Sequence, residues 1–220
     1  MRVLDDFLKD PYKIRRLALS SNFERESPSV NWPGYRVDLP EPFRSQYLQQ
    51  LNSILDEDLK FYKAYFQCIG KEWGTGVYHV DFESKWTVLT FLNLNAPSHS
   101  GIEIGEVCTD NYLKSIFENG QEDIDAYGNS LSMFNKSKKT PIQRFFFDRE
   151  IKEYNSHYKN PCVVSNKFNR TVIFRGHRNH CAQNFFGTTP ADSRLTIISF
   201  LTPDGKTFKN PGSWTSGSRQ

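Results

Sequence analysis

Five histidines, at positions 79, 99, 157, 177 and 180, are the only imidazoles in the 220-residue chain, so every metal-binding arrangement that uses them can be inspected. One stands in His79-Val80-Asp81. In an extended strand residues i and i+2 project to the same side, so His79 and Asp81 would offer an imidazole nitrogen and a carboxylate oxygen to one point. Chance alone yields such a triplet about 0.3 times in a chain with this many His and Asp, so it needs support from elsewhere. That support lies far downstream. Gly176-His177-Arg178-Asn179-His180-Cys181 precedes a strand-like run, and Arg194-Leu195-Thr196 opens the last strong one. Alternation again sets Arg194 and Thr196 on a common side, where a guanidinium fork and a hydroxyl could hold a carboxylate. An arginine in an apolar strand, followed by Ile197, Ile198 and Phe200, asks for an anionic partner, and a small dicarboxylate would satisfy it. His177 and His180 compete as the third metal ligand, and the register into the following strand favours His180. His99, in a turn-like stretch, and His157, in a polar helix, read as solvated.

The elements that must position these residues follow from composition and period. The chain holds 18 Phe, 10 Tyr and 4 Trp, whereas alanine occurs only at positions 18, 64, 96, 126, 182 and 191. Aromatic and β-branched residues suit pleated sheets, and scarce alanine disfavours a helical bundle. Two helices open the chain. The first begins at Pro11 behind a capping Asp10 and turns Ile14, Leu17 and Ala18 to one face; the second covers about 42–56. Pro33-Gly34 marks a turn between them. From residue 61 the period changes to two, and runs at 61–69, 76–82, 86–94, 101–107, 162–168, 171–174, 181–186 and 195–201 read as short strands. Eight such runs suit a two-sheet jelly roll or barrel. Between about 109 and 160 the pattern lapses into an insertion with helix-like pieces at 112–118 and 144–158. The expectation is one domain over 1–220: helical support over 1–60, a core over 61–201, and a loose tail over 203–220.

With these residues in view, the sequence resembles the non-haem iron(II), 2-oxoglutarate-dependent dioxygenases, which carry the pattern His-x-Asp, a distant His, then Arg-x-Ser/Thr. The resemblance covers roughly residues 73–201, with Gly101-Ile102-Glu103 at a glycine-containing strand start. Asp5-Asp6-Phe7-Leu8 and Trp32-Pro33-Gly34-Tyr35-Arg36 look like a poorly characterised microbial subgroup. The resemblance implies a mainly β fold with flanking helices, the double-stranded β-helix (jelly roll, cupin-like), behind N-terminal helices. It implies iron(II) held by His79, Asp81 and His180, leaving positions open for 2-oxoglutarate and O₂. Arg194 would pair with the distal carboxylate of 2-oxoglutarate, Thr196 would add a hydroxyl, and Tyr78 or Asn93 would complete that pocket. The implied activity is hydroxylation of an organic substrate, with succinate and CO₂ as co-products and ascorbate as a supporting reductant. Halogenating relatives replace the carboxylate ligand with a small residue, so Asp81 favours hydroxylation. The prolyl-hydroxylase-like branch shares the one-domain layout, which points to a peptidyl or free amino acid, with a small metabolite as the other choice.

Other classes are disfavoured. A net charge of +3, and Ser199 where the nucleic-acid demethylating branch carries a second arginine, argue against a nucleic-acid partner. A mean hydropathy of −0.62 and no long apolar run argue against a membrane span, and the start of the chain lacks a signal-peptide pattern, so a cytoplasmic location is expected. Cys68, Cys108, Cys162 and Cys181 have no C-x-x-C spacing and read as reduced, mostly buried thiols. The alternative from another class is a non-catalytic cupin-like module that binds a metal or ligand, with no use for Arg194.

Overall fold

The computed structural model describes residues 1–24, 33–81, 83–107 and 141–206. Helix α1 spans Pro11–Leu19, and the Asp10 side chain accepts the Lys13 amide at 3.1 Å, so the expected cap forms. Helix α2 spans Phe43–Leu55 and buries Phe43, Tyr47, Leu51 and Leu55, one residue per turn. Both helices lie on one face of a six-stranded antiparallel sheet in the order β1-β7-β4-β9-β3-β2. These strands are β1 (Arg2–Leu4), β2 (Tyr35–Asp38), β3 (Lys60–Ile69), β4 (Trp86–Phe91), β7 (Thr171–Arg175) and β9 (Arg194–Thr202). A smaller sheet, β6-β5-β8, is built from β5 (Ile102–Val107), β6 (Tyr158–Val164) and β8 (His180–Ala182). Helix α3 (Pro141–Ser156) precedes β6.

The chain passes repeatedly between the two sheets, as a jelly roll requires. It runs from β3 through residues 75–79 of the smaller side to β4, then to β5 and β6, back to β7, across to β8 and home to β9. Alternation along each strand separates the cores. On β4, Trp86 and Val88 face the helices, as does Leu92 just beyond the strand, while Leu89 and Phe91 face inward to meet Ile102, Ile104, Val164, Val172 and Phe174 from the other strands. A third cluster joins Ile69, Trp73, Tyr78, Ile151, Tyr154, Tyr158, Cys181 and Phe185 under α3.

Several boundaries differ from the sequence reading. The expected strand 76–82 is not a continuous ladder; residues 75–79 meet β8 and the residues after it through isolated bridges, His79 with His180 and Thr75 with Asn184. The strand expected over 162–168 lies earlier, at Tyr158–Val164, so the insertion ends in α3 and a sheet strand. The strand expected over 181–186 is three residues long and begins at His180. The short edge strands β1 and β2 were not anticipated. The turn before β2 depends on Gly34, whose φ is +85° and whose added Cβ would lie 2.4 Å from the Cys68 carbonyl oxygen. The helix expected over 112–118 and most of the tail lie outside the described residues.

Candidate metal and carboxylate site

His79, Asp81 and His180 come together where the two sheets meet. One ligand atom from each lies within 4.8 Å of the others. The smaller sheet sets His180: β8 pairs with β5 so that His180 stands opposite Ile104, an inward-facing core residue, and its ring contacts Phe174 edge-on at 4.6 Å. His79 is fixed beside it by reciprocal backbone bonds, 3.0 Å and 2.9 Å, between the two histidines. Asp81 arrives differently from the flat strand expected. The chain bends after His79, and the Asp81 amide donates to the Gly176 carbonyl at 2.7 Å, at the end of β7. The bend still delivers the carboxylate between the imidazoles, 3.7 Å from His79 Nε2 and 3.2 Å from His180 Nε2.

Each imidazole is oriented by its other nitrogen. His79 Nδ1 lies 2.8 Å from the Val77 carbonyl, and His180 Nδ1 lies 2.8 Å from the Arg178 carbonyl. A carbonyl only accepts, so each Nδ1 carries the proton and a neutral ring turns its Nε2 lone pair toward Asp81. Lone pairs from two nitrogens and a carboxylate converge on one point, an arrangement that a cation stabilises, either a metal or a proton. The titration directions describe the proton case. Burial alone would lower the His180 imidazole, but the Asp81 charge and hydrogen bond prevail and raise it. For Asp81 burial would raise the carboxyl, and the charge and hydrogen bond of His180, with His79 and Thr87, hold it below the usual carboxylate range. Thr87, not singled out by the sequence, donates to Asp81 Oδ2 at 2.6 Å.

Arg194 is 2% exposed at the start of β9. Its Nε donates to the Ser100 carbonyl at 3.4 Å, and its guanidinium lies 5.4 Å and 5.9 Å from the Phe91 and Phe185 ring centres. Among the described residues no carboxylate pairs with it, and burial pushes its pKa down to about 10. Thr196, fully buried two positions along the same face, has a hydroxyl with no hydrogen-bond partner. Thr202 shares that lack, so the orphaned hydroxyl acquires meaning only from its position beside Arg194.

The other expected site residues lie elsewhere. Tyr78 turns to the opposite side of the smaller sheet from His79, where it stacks on Tyr158 with ring centres 4.2 Å apart and donates to Glu103 Oε2 at 3.0 Å. Asn93 is occupied in clamping β9: its Oδ1 accepts from the Leu195 amide at 3.1 Å and its Nδ2 donates to the Ser193 carbonyl at 2.7 Å. His177 is exposed in the turn between β7 and β8, away from the cluster that holds His180, and His99 is exposed in its own turn. His157 is half-buried behind α3. Cys68 and Cys181 are buried and Cys162 is exposed, all three as free thiols.

No protein-family model and no curated protein matches the sequence. Among solved structures, HygX from Streptomyces hygroscopicus, determined with nickel and 2-oxoglutarate bound, aligns with 91% of this chain and 82% of its own at 11% identity and a TM-score of 0.54. The chain shares its fold with HygX. At that identity HygX speaks for architecture, and the chemistry rests on the side chains described above. A prolyl hydroxylase from Trichoplax adhaerens, in complex with a hypoxia inducible factor peptide fragment, aligns over 93% of this chain and 84% of its own at 11% identity and a TM-score of 0.45. Among the described residues no helix is long and apolar enough to cross a membrane.

Proposed function

We propose that this chain is an iron(II)- and 2-oxoglutarate-dependent dioxygenase that hydroxylates an organic substrate, either an amino acid, free or in a peptide, or a small metabolite. The observation that carries the reading is the convergence of two Nδ1-protonated imidazoles and one carboxylate in the jelly roll that also buries an arginine without a carboxylate partner among the described residues. Two nitrogens and one oxygen suit iron(II) and leave coordination positions open. The residues fit the groups: His79, Asp81 and His180 would hold the metal, and Arg194 with the orphaned Thr196 hydroxyl would hold the distal carboxylate of 2-oxoglutarate. Bound iron would supply the activation of O₂, with one oxygen atom passing to succinate as 2-oxoglutarate loses CO₂ and the other to the substrate. The apolar wall of Leu89, Phe91, Phe174 and Ile104 would exclude water from that chemistry.

Anaerobic titration with iron(II) and 2-oxoglutarate tests the reading. A metal-to-ligand charge-transfer band is expected in the wild type, absent from Asp81→Ala and weakened in Arg194→Ala. Metal binding without the band would favour a cupin-like binding module, and no metal binding by folded protein would end the proposal.

A further inference from the structure

A carboxylate that is to serve as a metal ligand must be held in one rotation before any metal arrives. Histidine side chains supply part of that hold, but the shortest contact to Asp81 comes from a neutral group. Thr87, on β4 and completely buried, faces inward by the alternation that also turns Leu89 and Phe91 inward, and its hydroxyl lies 2.6 Å from Asp81 Oδ2. A second buried hydroxyl stands behind it. Ser84 Oγ lies 3.1 Å from Thr87 Oγ1 and 3.2 Å from the Asp81 carbonyl oxygen. Because the single Thr87 proton is directed to the carboxylate, Thr87 Oγ1 can only accept from Ser84, whose hydroxyl also reaches the Asp81 carbonyl, so Ser84 braces the turn that carries both groups. Gly176 closes the arrangement. A Cβ there would fall 2.3 Å from the Ser84 carbonyl oxygen, 2.4 Å from Ser84 Oγ and 2.5 Å from the Asp81 carbonyl oxygen, so only glycine lets β7 end against this turn.

We propose that Thr87 is the positioning residue of the metal site: its hydroxyl, beside Ser84, holds Asp81 Oδ2 and thereby fixes the rotation of the carboxylate that sets Oδ2 next to His180 and Oδ1 next to His79. A neutral hydroxyl fixes that rotation and leaves the negative charge of the carboxylate to the metal. The inference rests on the proposed metal reading.

Cobalt(II) is the probe, because its affinity and ligand-field spectrum report the metal site without turnover. Removing a hydrogen-bond partner of a metal ligand weakens binding by about 10–100-fold, and that range is expected for Thr87→Val, with an altered spectrum. Thr87→Ser restores the hydroxyl and should return both affinity and spectrum close to wild type. If Thr87→Val does not fold, Thr87→Ala against Thr87→Ser makes the same comparison. Wild-type affinity and spectrum in the Val or Ala variant, or equal weakening in the Ser variant, overturn the role of Thr87 while the metal site stands. Failure of folded wild-type protein to bind cobalt(II) overturns both.

Discussion

Replacing Arg194 with methionine separates a structural arginine from one that awaits a ligand. A structural ion pair loses stability when truncated, because its partner is left buried and unpaired. Arg194 has no carboxylate to strand among the described residues, and its own burial is unfavourable: a fall from its ordinary pKa to about 10 corresponds to roughly 3 kcal/mol against the charged form at neutral pH. The sign is that of a base whose pKa is depressed on folding, so the penalty holds throughout the range below about 10 and eases only above it. Arg194→Met removes that penalty and forfeits the 3.4 Å bond to Ser100 and the contacts with Phe91 and Phe185, together about 1–2 kcal/mol. The ligand-free variant should therefore be as stable as wild type or up to about 2 kcal/mol more stable, a rise of up to about 5 °C in Tm for a chain of this size. Ligand binding should move the other way. With manganese(II) and 2-oxoglutarate at about 100 times Kd, wild type should gain roughly 2.7 kcal/mol, and the variant at the same concentration should gain little. Differential scanning fluorimetry reads both. A variant destabilised by about 3 kcal/mol that still responds to 2-oxoglutarate like wild type would refute the reasoning.

Three further outcomes follow from the same geometry. Thr196→Val removes an orphaned buried hydroxyl, so the ligand-free protein should lose no stability, while 2-oxoglutarate affinity, measured by the charge-transfer titration, should fall about tenfold. Tyr78→Phe should leave that affinity unchanged and lower the melting temperature by a few degrees, because its hydroxyl serves Glu103 on the far side of the smaller sheet. His180 is raised above its ordinary value by Asp81, and Asp81 is lowered by His180, so the pair's contribution to metal-free stability is full between about pH 4 and pH 6.5, is lost as pH rises through the folded His180 value, and is lost again as pH falls through the folded Asp81 value. Manganese(II) must displace that proton: affinity should rise with pH, and calorimetry at pH 6.5 in buffers of different ionisation enthalpy should record up to about one proton released per metal bound.

The convergence of His79 with Asp81 is legible in the sequence, but strand alternation is only part of its cause. An i, i+2 pair in a flat strand would share a face, whereas the chain bends and Asp81 is anchored to Gly176 of the other sheet. The same alternation turns Tyr78 away from its neighbour His79, and the structure places its ring against Tyr158 with its hydroxyl on Glu103. A carboxamide at a strand end can serve the backbone as readily as a ligand, and the bonds of Asn93 to Ser193 and Leu195 depend on where β9 begins, which the sequence around Asn93 does not show. Thr87 carried no signal, because its contact with Asp81 depends on a turn whose shape is set by Gly176, far along the chain. Strands β1 and β2, three and four residues long, are too short to display a period, and Pro161 with its polar neighbours hid the start of β6. That Arg194 lacks a carboxylate partner among the described residues is a property of the fold alone.

Succinate formation from 2-oxoglutarate under O₂, with iron(II) and ascorbate present and candidate substrates pooled, tests whether this chain is a dioxygenase. Succinate release is expected to be stimulated by a substrate in the pool, matched by O₂ uptake and abolished in Asp81→Ala. Folded wild-type protein that releases no more succinate than Asp81→Ala under those conditions would contradict the proposed dioxygenase activity.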